Sequence, residues 1–175
     1  MKAFFAGAPV PVAKTGQTAA YATGDDGYWK KGVAWPSPRF TDNANGTVTD
    51  NLTGLIWLKN ANAFGTRAWA TALTDCNTLN SGEAGLTDGS VEGDWRLPNR
   101  LELRSLIDPS RYSAPFLPPG HPFTSTIGTY SYYWTSTTVG PTGGGLPATG
   151  AAALLMGGNG TVAWGYKTST SYYVW

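Results

Sequence analysis

The stretch Gly93-Asp94-Trp95-Arg96-Leu97-Pro98-Asn99-Arg100-Leu101-Glu102-Leu103 decides the architecture, because a strand-like alternation runs through a proline directly into a capped helix. Trp95 and Leu97 alternate with polar neighbours as a half-buried strand would, and Pro98 ends that strand. Asn99 followed three residues later by Glu102 is a helix N-terminus signature, in which the Asn side chain takes the exposed N–H groups and the Glu reaches back. The helix it opens presents Leu103, Leu106 and Ile107 on one face and should stop near Asp108-Pro109.

Upstream of this corner, Thr66 is expected to cap a helix whose apolar positions Trp69, Ala72, Leu73, Cys76 and Leu79 recur at spacings of three and four. A polar, Gly-containing loop from Asn80 to Gly93 joins the two helices. Earlier still, Arg39–Asp42, Thr47–Asp50 and Leu55–Leu58 read as a three-stranded meander, with turns at Asn43-Ala44-Asn45-Gly46 and Asn51-Leu52-Thr53-Gly54. Residues 6–27 are rich in Gly, Ala, Pro and Thr without a period, so residues 1–27 read as an extended arm or leader remnant ahead of a single domain over 28–175.

Downstream, 111–128 carries four prolines and His121, and reads as ordered loop. Tyr130–Thr138 alternates aromatics and hydroxyls as a strand, and 140–150 is a Gly-rich loop. Ala151–Met156 and Thr161–Lys167 form a hairpin around Gly157-Gly158-Asn159-Gly160, and Ser171–Trp175 is a last strand.

Composition bounds the partners. The 175 residues fit one domain with a real core. Charged residues are only 13% and the net charge is +1, so no overall field points to nucleic acid or an acidic membrane surface. Nothing approaches the ~20 apolar residues of a membrane-spanning helix. A single cysteine, Cys76, excludes an internal disulfide and a thiolate zinc cluster, and its expected place is a buried helix face. Eight Trp, nine Tyr and 23 Gly describe short strands, tight turns and aromatic packing, as in many extracellular binding modules.

Five stretches carry a family resemblance: Pro11–Thr18, Gly32–Phe40, Asp42–Trp57, Asp94-Trp95-Arg96-Leu97-Pro98 and Tyr133-Trp134-Thr135-Ser136-Thr137. With the order meander, helix, loop, Trp-Arg-Leu-Pro, helix and late strands, the chain resembles the Lcl_C family, named for the C-terminal domain of the Legionella collagen-like adhesin. The resemblance implies an α+β, C-type-lectin-like fold of two helices packed on short antiparallel sheets with many loops. It also implies an exported protein of bacterial type with no established enzymatic chemistry. The family pattern usually continues past Tyr-Val-Trp into a Pro-Val-Arg ending, so truncation at the C-terminal end is an expectation. In this frame Trp57, Trp95, Arg96, Leu97, Pro98, Asn99, Glu102 and Trp134 are structural motif residues.

The candidate sites weigh unequally. Asp42, Asn43, Asn45, Gly46 and Asp50 suggest calcium, but with Gly46 at the sixth loop position the first and twelfth ligands fall on Thr41 and Leu52, so a side-chain-stabilised turn is the better reading and no metal is expected. His121, between Gly120 and Pro122, has no triad around it and reads as a structural loop residue. Asp94, Glu102 and Asp108 leave a glycosidase carboxylate pair open in principle, although Glu102 is already a capping residue. The Trp-Arg-Leu-Pro corner also resembles formylglycine-generating enzymes, which need a cysteine pair that Cys76 alone cannot supply. No cofactor and no catalytic residue is expected.

Two binding surfaces remain. Arg100 and Arg104, one helical turn apart, with Arg111, could make a stripe for an anionic glycan, against the favoured plainer reading of a solvated helix face paired locally with Glu102 and Asp108. Aromatic stacking on sugar rings is the other route, with Tyr133, Tyr166, Tyr172 and Tyr173 as an exposed platform beside the late loops and Asn159. The leading expectation is a non-enzymatic, exported, adhesin-like domain at the cell surface or outside the cell, binding a glycan or a surface protein. The alternatives are a structural or assembly module of a fibre, pilus or surface layer, as a homo-oligomer such as a trimer, and a hypervariable lectin-like display protein.

Overall fold

A computed structural model describes residues 12–111, 116–128, 130–139, 149–156 and 160–175. Its elements in chain order are α1 (Asp26–Trp29), β1 (Phe40–Asp42), β2 (Thr47–Asp50), β3 (Ile56–Leu58), β4 (Thr66–Arg67), α2 (Trp69–Thr78), α3 (Arg100–Ser105), β5 (Tyr132–Thr138), β6 (Gly150–Leu155), β7 (Val162–Tyr166) and β8 (Tyr172–Tyr173). The fold is α+β, with few short helices and two mostly antiparallel sheets. Among the described residues no helix is long and apolar enough to cross a membrane.

The meander forms as its turn chemistry dictates: β1, β2 and β3 pair in sequence order, with Val48 opposite Trp57. Its first turn is held by its own side chains, since Asn43 Nδ2 donates to Thr47 Oγ1 at 2.8 Å and the Thr47 hydroxyl donates to Asn45 Oδ1 at 2.7 Å. Asp42 turns to Lys59 at 2.6 Å, so the acidic and amide side chains of this loop serve the hairpin. Gly46 has φ +87, and a Cβ there would collide with the Gly85 carbonyl. The hairpin tip therefore packs onto the long loop, which donates Thr87 N–H to the Asn45 carbonyl at 2.9 Å.

The second sheet has the order β4-β8-β5-β6-β7. Its one parallel contact, β5 with β8, brings the C-terminal strand beside Tyr133 and leaves β7 as an edge. Helices α2 and α3 lie against β5. The larger core cluster joins the meander to α3 through residues such as Val48, Trp57, Leu103, Leu106, Tyr133 and Trp175. A smaller one packs Ala72 and Cys76 of α2 against Leu97, Trp134 and Val174.

Several local expectations are corrected. Thr66 does not cap α2; it lies in β4, paired with Tyr173, and the N-cap is Ala68 with no side-chain bond. Trp95 and Leu97 do not form a strand: residues 95–99 pair with no strand among the described residues, while Leu97 is buried and Trp95 half-buried. The corner itself is as read. Asn99 Oδ1 accepts Leu101 and Glu102 N–H, and the Glu102 carboxylate accepts Asn99 N–H, a complete capping box. Helix α3 ends at Ser105, short of the expected Asp108. Residues 12–27 include a bridge from Ala13 to Val33 and the first residues of α1, which Asp25 caps through Tyr28 N–H at 2.7 Å.

Candidate functional site

Six of the eight tryptophans are buried or half-buried, and their indole N–H groups divide into two sets. Trp35 donates to Lys14 O, Trp69 to Thr135 O, Trp134 to Arg67 O and Trp175 to Leu58 O, at 2.7–2.9 Å. Trp57 and Trp95 donate to nothing among the described residues, although both Nε1 atoms are buried. A buried donor without an acceptor costs about 1–3 kcal/mol. Both unpaired indoles line the same cleft.

That cleft has a volume of about 540 Å³. Its apolar wall is Trp57 and Leu58 of β3, Phe64, Leu79 and Trp175, with the Trp57 and Trp175 rings 5.8 Å apart. Its polar wall comes from the long loop and the corner: Asp88, Ser90, Asp94, Arg96 and Glu102. The meander thus supplies one side and the Trp-Arg-Leu-Pro corner the other.

The polar wall is preorganised. Arg96 donates to both oxygens of Glu102, at 2.7 and 2.6 Å, and that ion pair with the Asn99 N–H bond holds the Glu102 carboxyl below the usual carboxylate range. Asp88 Oδ1 accepts the N–H and hydroxyl of Ser90, and Asp94 Oδ2 accepts Val91 N–H at 2.9 Å. The carboxylates are held as fixed acceptors around an aromatic wall, an arrangement suited to binding a ligand with apolar faces and polar edges. Cys76 also borders the cleft, but burial, and then the neighbouring Asp75, push its thiol up to about 12, so it is an unreactive packing group.

The expected tyrosine platform is not assembled. Tyr133 is 1% exposed, a core residue whose hydroxyl accepts Ile127 N–H at 3.2 Å, and burial raises its phenol to about 12. Alternation along β5 put it on the face opposite Trp134, but that face is covered as well, by Trp175 and Tyr173. Tyr172 is half-buried with its ring 4.3 Å from Trp134, and Tyr173 is half-buried against Tyr133. Of the four tyrosines only Tyr166 is exposed, beside Trp164 at 5.8 Å. Asn159 lies outside the described residues.

The arginine stripe is also redistributed. Arg100 and Arg104 are exposed on α3, and their expected pairing with Glu102 and Asp108 does not form, because Arg96 occupies Glu102 and Ser110 bonds Asp108. Arg111 is half-buried and borders a different cavity. Trp134 and Leu97 are core as expected, and Pro98 is buried at the corner, its carbonyl accepting Ser136 N–H at 2.8 Å. Trp57, Trp95, Arg96, Pro98 and Glu102, read from the sequence as scaffold, all line the cleft. The available signal was Trp95 itself, an indole between two charged residues, Asp94 and Arg96.

No curated protein and no solved structure matches the chain. A family model does: residues 46–175, which hold the meander from β2 onward, both walls of the cleft and the whole second sheet, match the Lcl C-terminal domain, and this chain belongs to that family.

Proposed function

We propose that this protein is a non-enzymatic ligand-binding domain that recognises carbohydrate in the cleft between the meander and the Trp-Arg-Leu-Pro corner. The observation that carries this reading is the pair of buried, unpaired indole donors, Trp57 Nε1 and Trp95 Nε1, on one aromatic cleft edged by Asp88, Asp94, Arg96 and Glu102. A sugar offers apolar ring faces to the indoles and hydroxyls that both accept from N–H and donate to fixed carboxylates. The chemistry of the rim favours binding over hydrolysis. A glycosidase acid needs a raised carboxyl pKa, whereas Arg96 holds Glu102 low and ionised. On this reading the scaffold is C-type-lectin-like, and the domain is adhesin-like, exported and displayed outside the cell or at its surface.

The test is a glycan array together with heparin binding at physiological salt, using the native chain and Trp95→Ala. Glycan binding that Trp95→Ala reduces at least tenfold supports the proposal. The absence of binding to any glycan, alongside tight binding to a protein, sinks the carbohydrate reading.

A second reading, an assembly module, draws on β7. Val162, Trp164 and Tyr166 are 39%, 53% and 51% exposed on one face of an edge strand. Pairing with a second copy would cover this face. Sedimentation of the native chain against Trp164→Glu separates a concentration-dependent oligomer from a monomer.

A further inference from the structure

We propose that the protein carries a second, separate ligand site, for a small hydroxycarboxylate, at the seam between residues 14–35 and the turn that follows α3. The seam encloses a cavity of about 610 Å³ whose chemistry comes from Lys14, Asp26, Lys30, Trp35, Asp108 and Arg111. It shares no lining residue with the aromatic cleft.

Two groups in this cavity are incompletely engaged by the protein. Asp108 is 3% exposed, yet among the described residues it forms no ion pair. Its Oδ1 accepts the Ser110 N–H at 2.9 Å and the Ser110 hydroxyl at 2.7 Å, and its Oδ2 accepts no bond from any described residue. A carboxylate removed from water is ordinarily paired or fully hydrogen-bonded. Arg111, three residues on, has a buried Nε without an acceptor. The cavity therefore presents one buried donor without an acceptor, Arg111 Nε, and one carboxylate oxygen, Asp108 Oδ2, that no described residue engages.

The wall opposite packs closely on the carboxylate. The Gly16 backbone lies so close to Asp108 that a Cβ would collide with both carboxylate oxygens, so any other residue at position 16 would press on this acidic group. The segment is tied down just ahead of Gly16: Lys14 N–H donates to Val33 O at 2.9 Å, Trp35 Nε1 donates to Lys14 O at 2.8 Å, and the Thr15 hydroxyl donates to Asp26.

Charge and geometry select the ligand class. Three cations, Lys14, Lys30 and Arg111, share the lining with two carboxylates, Asp26 and Asp108, so the formal excess is one positive charge and a monoanion neutralises it. A planar carboxylate matches the guanidinium of Arg111, whereas a dianion such as sulfate meets two fixed carboxylates. Asp108 Oδ2 has acceptor capacity that no described residue uses, and a hydroxyl on the same ligand can donate to it. The half-buried Trp35 offers a flat wall for its carbon skeleton.

The experiment titrates the full chain with D-gluconate, following amide shifts by NMR and heat by calorimetry, with acetate and inorganic sulfate as controls. Gluconate should shift the amides of 14–18, 26–30 and 108–111 and bind about tenfold more tightly than either control. Arg111→Gln should weaken binding about tenfold. Lys30→Asn, at an exposed position with φ 47 that Asn adopts readily, should weaken it severalfold with an unchanged melting temperature. Trp95→Ala should leave gluconate binding intact, which separates failure of this site from failure of the aromatic cleft. Absence of gluconate shifts at these amides, equal binding of acetate and sulfate, or unchanged affinity in both Arg111→Gln and Lys30→Asn each overturns the proposal.

Discussion

Arg96 clasps Glu102 through both terminal nitrogens, at 2.7 and 2.6 Å, while the same carboxylate accepts the Asn99 backbone N–H at 2.8 Å. One side chain thus closes the capping box of α3 and ties it to the segment that delivers Trp95 to the cleft. The capping bond joins residues three apart, whereas the ion pair joins the strand-like segment to the helix across the Pro98 corner.

Removing the cap should loosen both. Asn99→Ala is expected to cost about 1 kcal/mol, the usual loss for an N-cap amide. Glu102→Gln should cost less near neutral pH, since an amide oxygen still reaches Asn99 N–H, and Arg96 is exposed enough for its ion pair to be screened. The Glu102 carboxyl is held low chiefly by Arg96, so its contribution is present above the ordinary carboxylate pKa and is lost as pH falls through the lower, folded value. Thermal melts across the acid range should therefore fall more steeply for the native chain than for Glu102→Gln.

A deeper ion pair ties the meander to α3. Asp50 is fully buried; burial alone would raise its carboxyl, but Arg39 at 2.8 and 2.9 Å, with the Leu52 N–H and the Thr53 hydroxyl, brings it below the usual range. Arg39 also donates to the Ser105 carbonyl at the end of α3. Asp50→Ala should destabilise by about 3–5 kcal/mol, because it strands a buried guanidinium, and urea denaturation measures it.

The two sets of indoles make opposite predictions for the same substitution. Trp175→Phe removes the donor at 2.7 Å from the buried Leu58 carbonyl and should cost about 1–3 kcal/mol beyond the lost ring area. Trp57→Phe removes a donor that bonds nothing, so its stability cost should be clearly smaller, while glycan binding falls. Equal destabilisation by the two would contradict the division of the indoles.

Cys76, with its thiol pushed to about 12, should resist iodoacetamide at pH 8 in the native state and react readily in urea. Cys76→Ala should lower stability modestly, as expected for a small residue packed against Leu97 and Trp134.

What the sequence by itself determined lies within a few residues' reach. Asn43 to Thr47 bonding, the Asn99–Glu102 box and the pairing of β1 with β2 and β2 with β3 are all encoded by side chains next to the backbone they serve. The family was legible for the same reason, through Asp42–Trp57 and the Trp-Arg-Leu-Pro corner.

Tertiary structure alone decided which aromatics are buried and what the corner faces. Tyr133 alternates correctly along β5, but alternation gives two faces and not their coverage, and Trp175, arriving from the chain end, covers the second. Trp57 and Trp95 look like core residues in sequence. Only the packing of β3 against the long loop leaves their N–H groups without acceptors on a shared cleft, because hydrogen-bond satisfaction depends on neighbours that are distant along the chain.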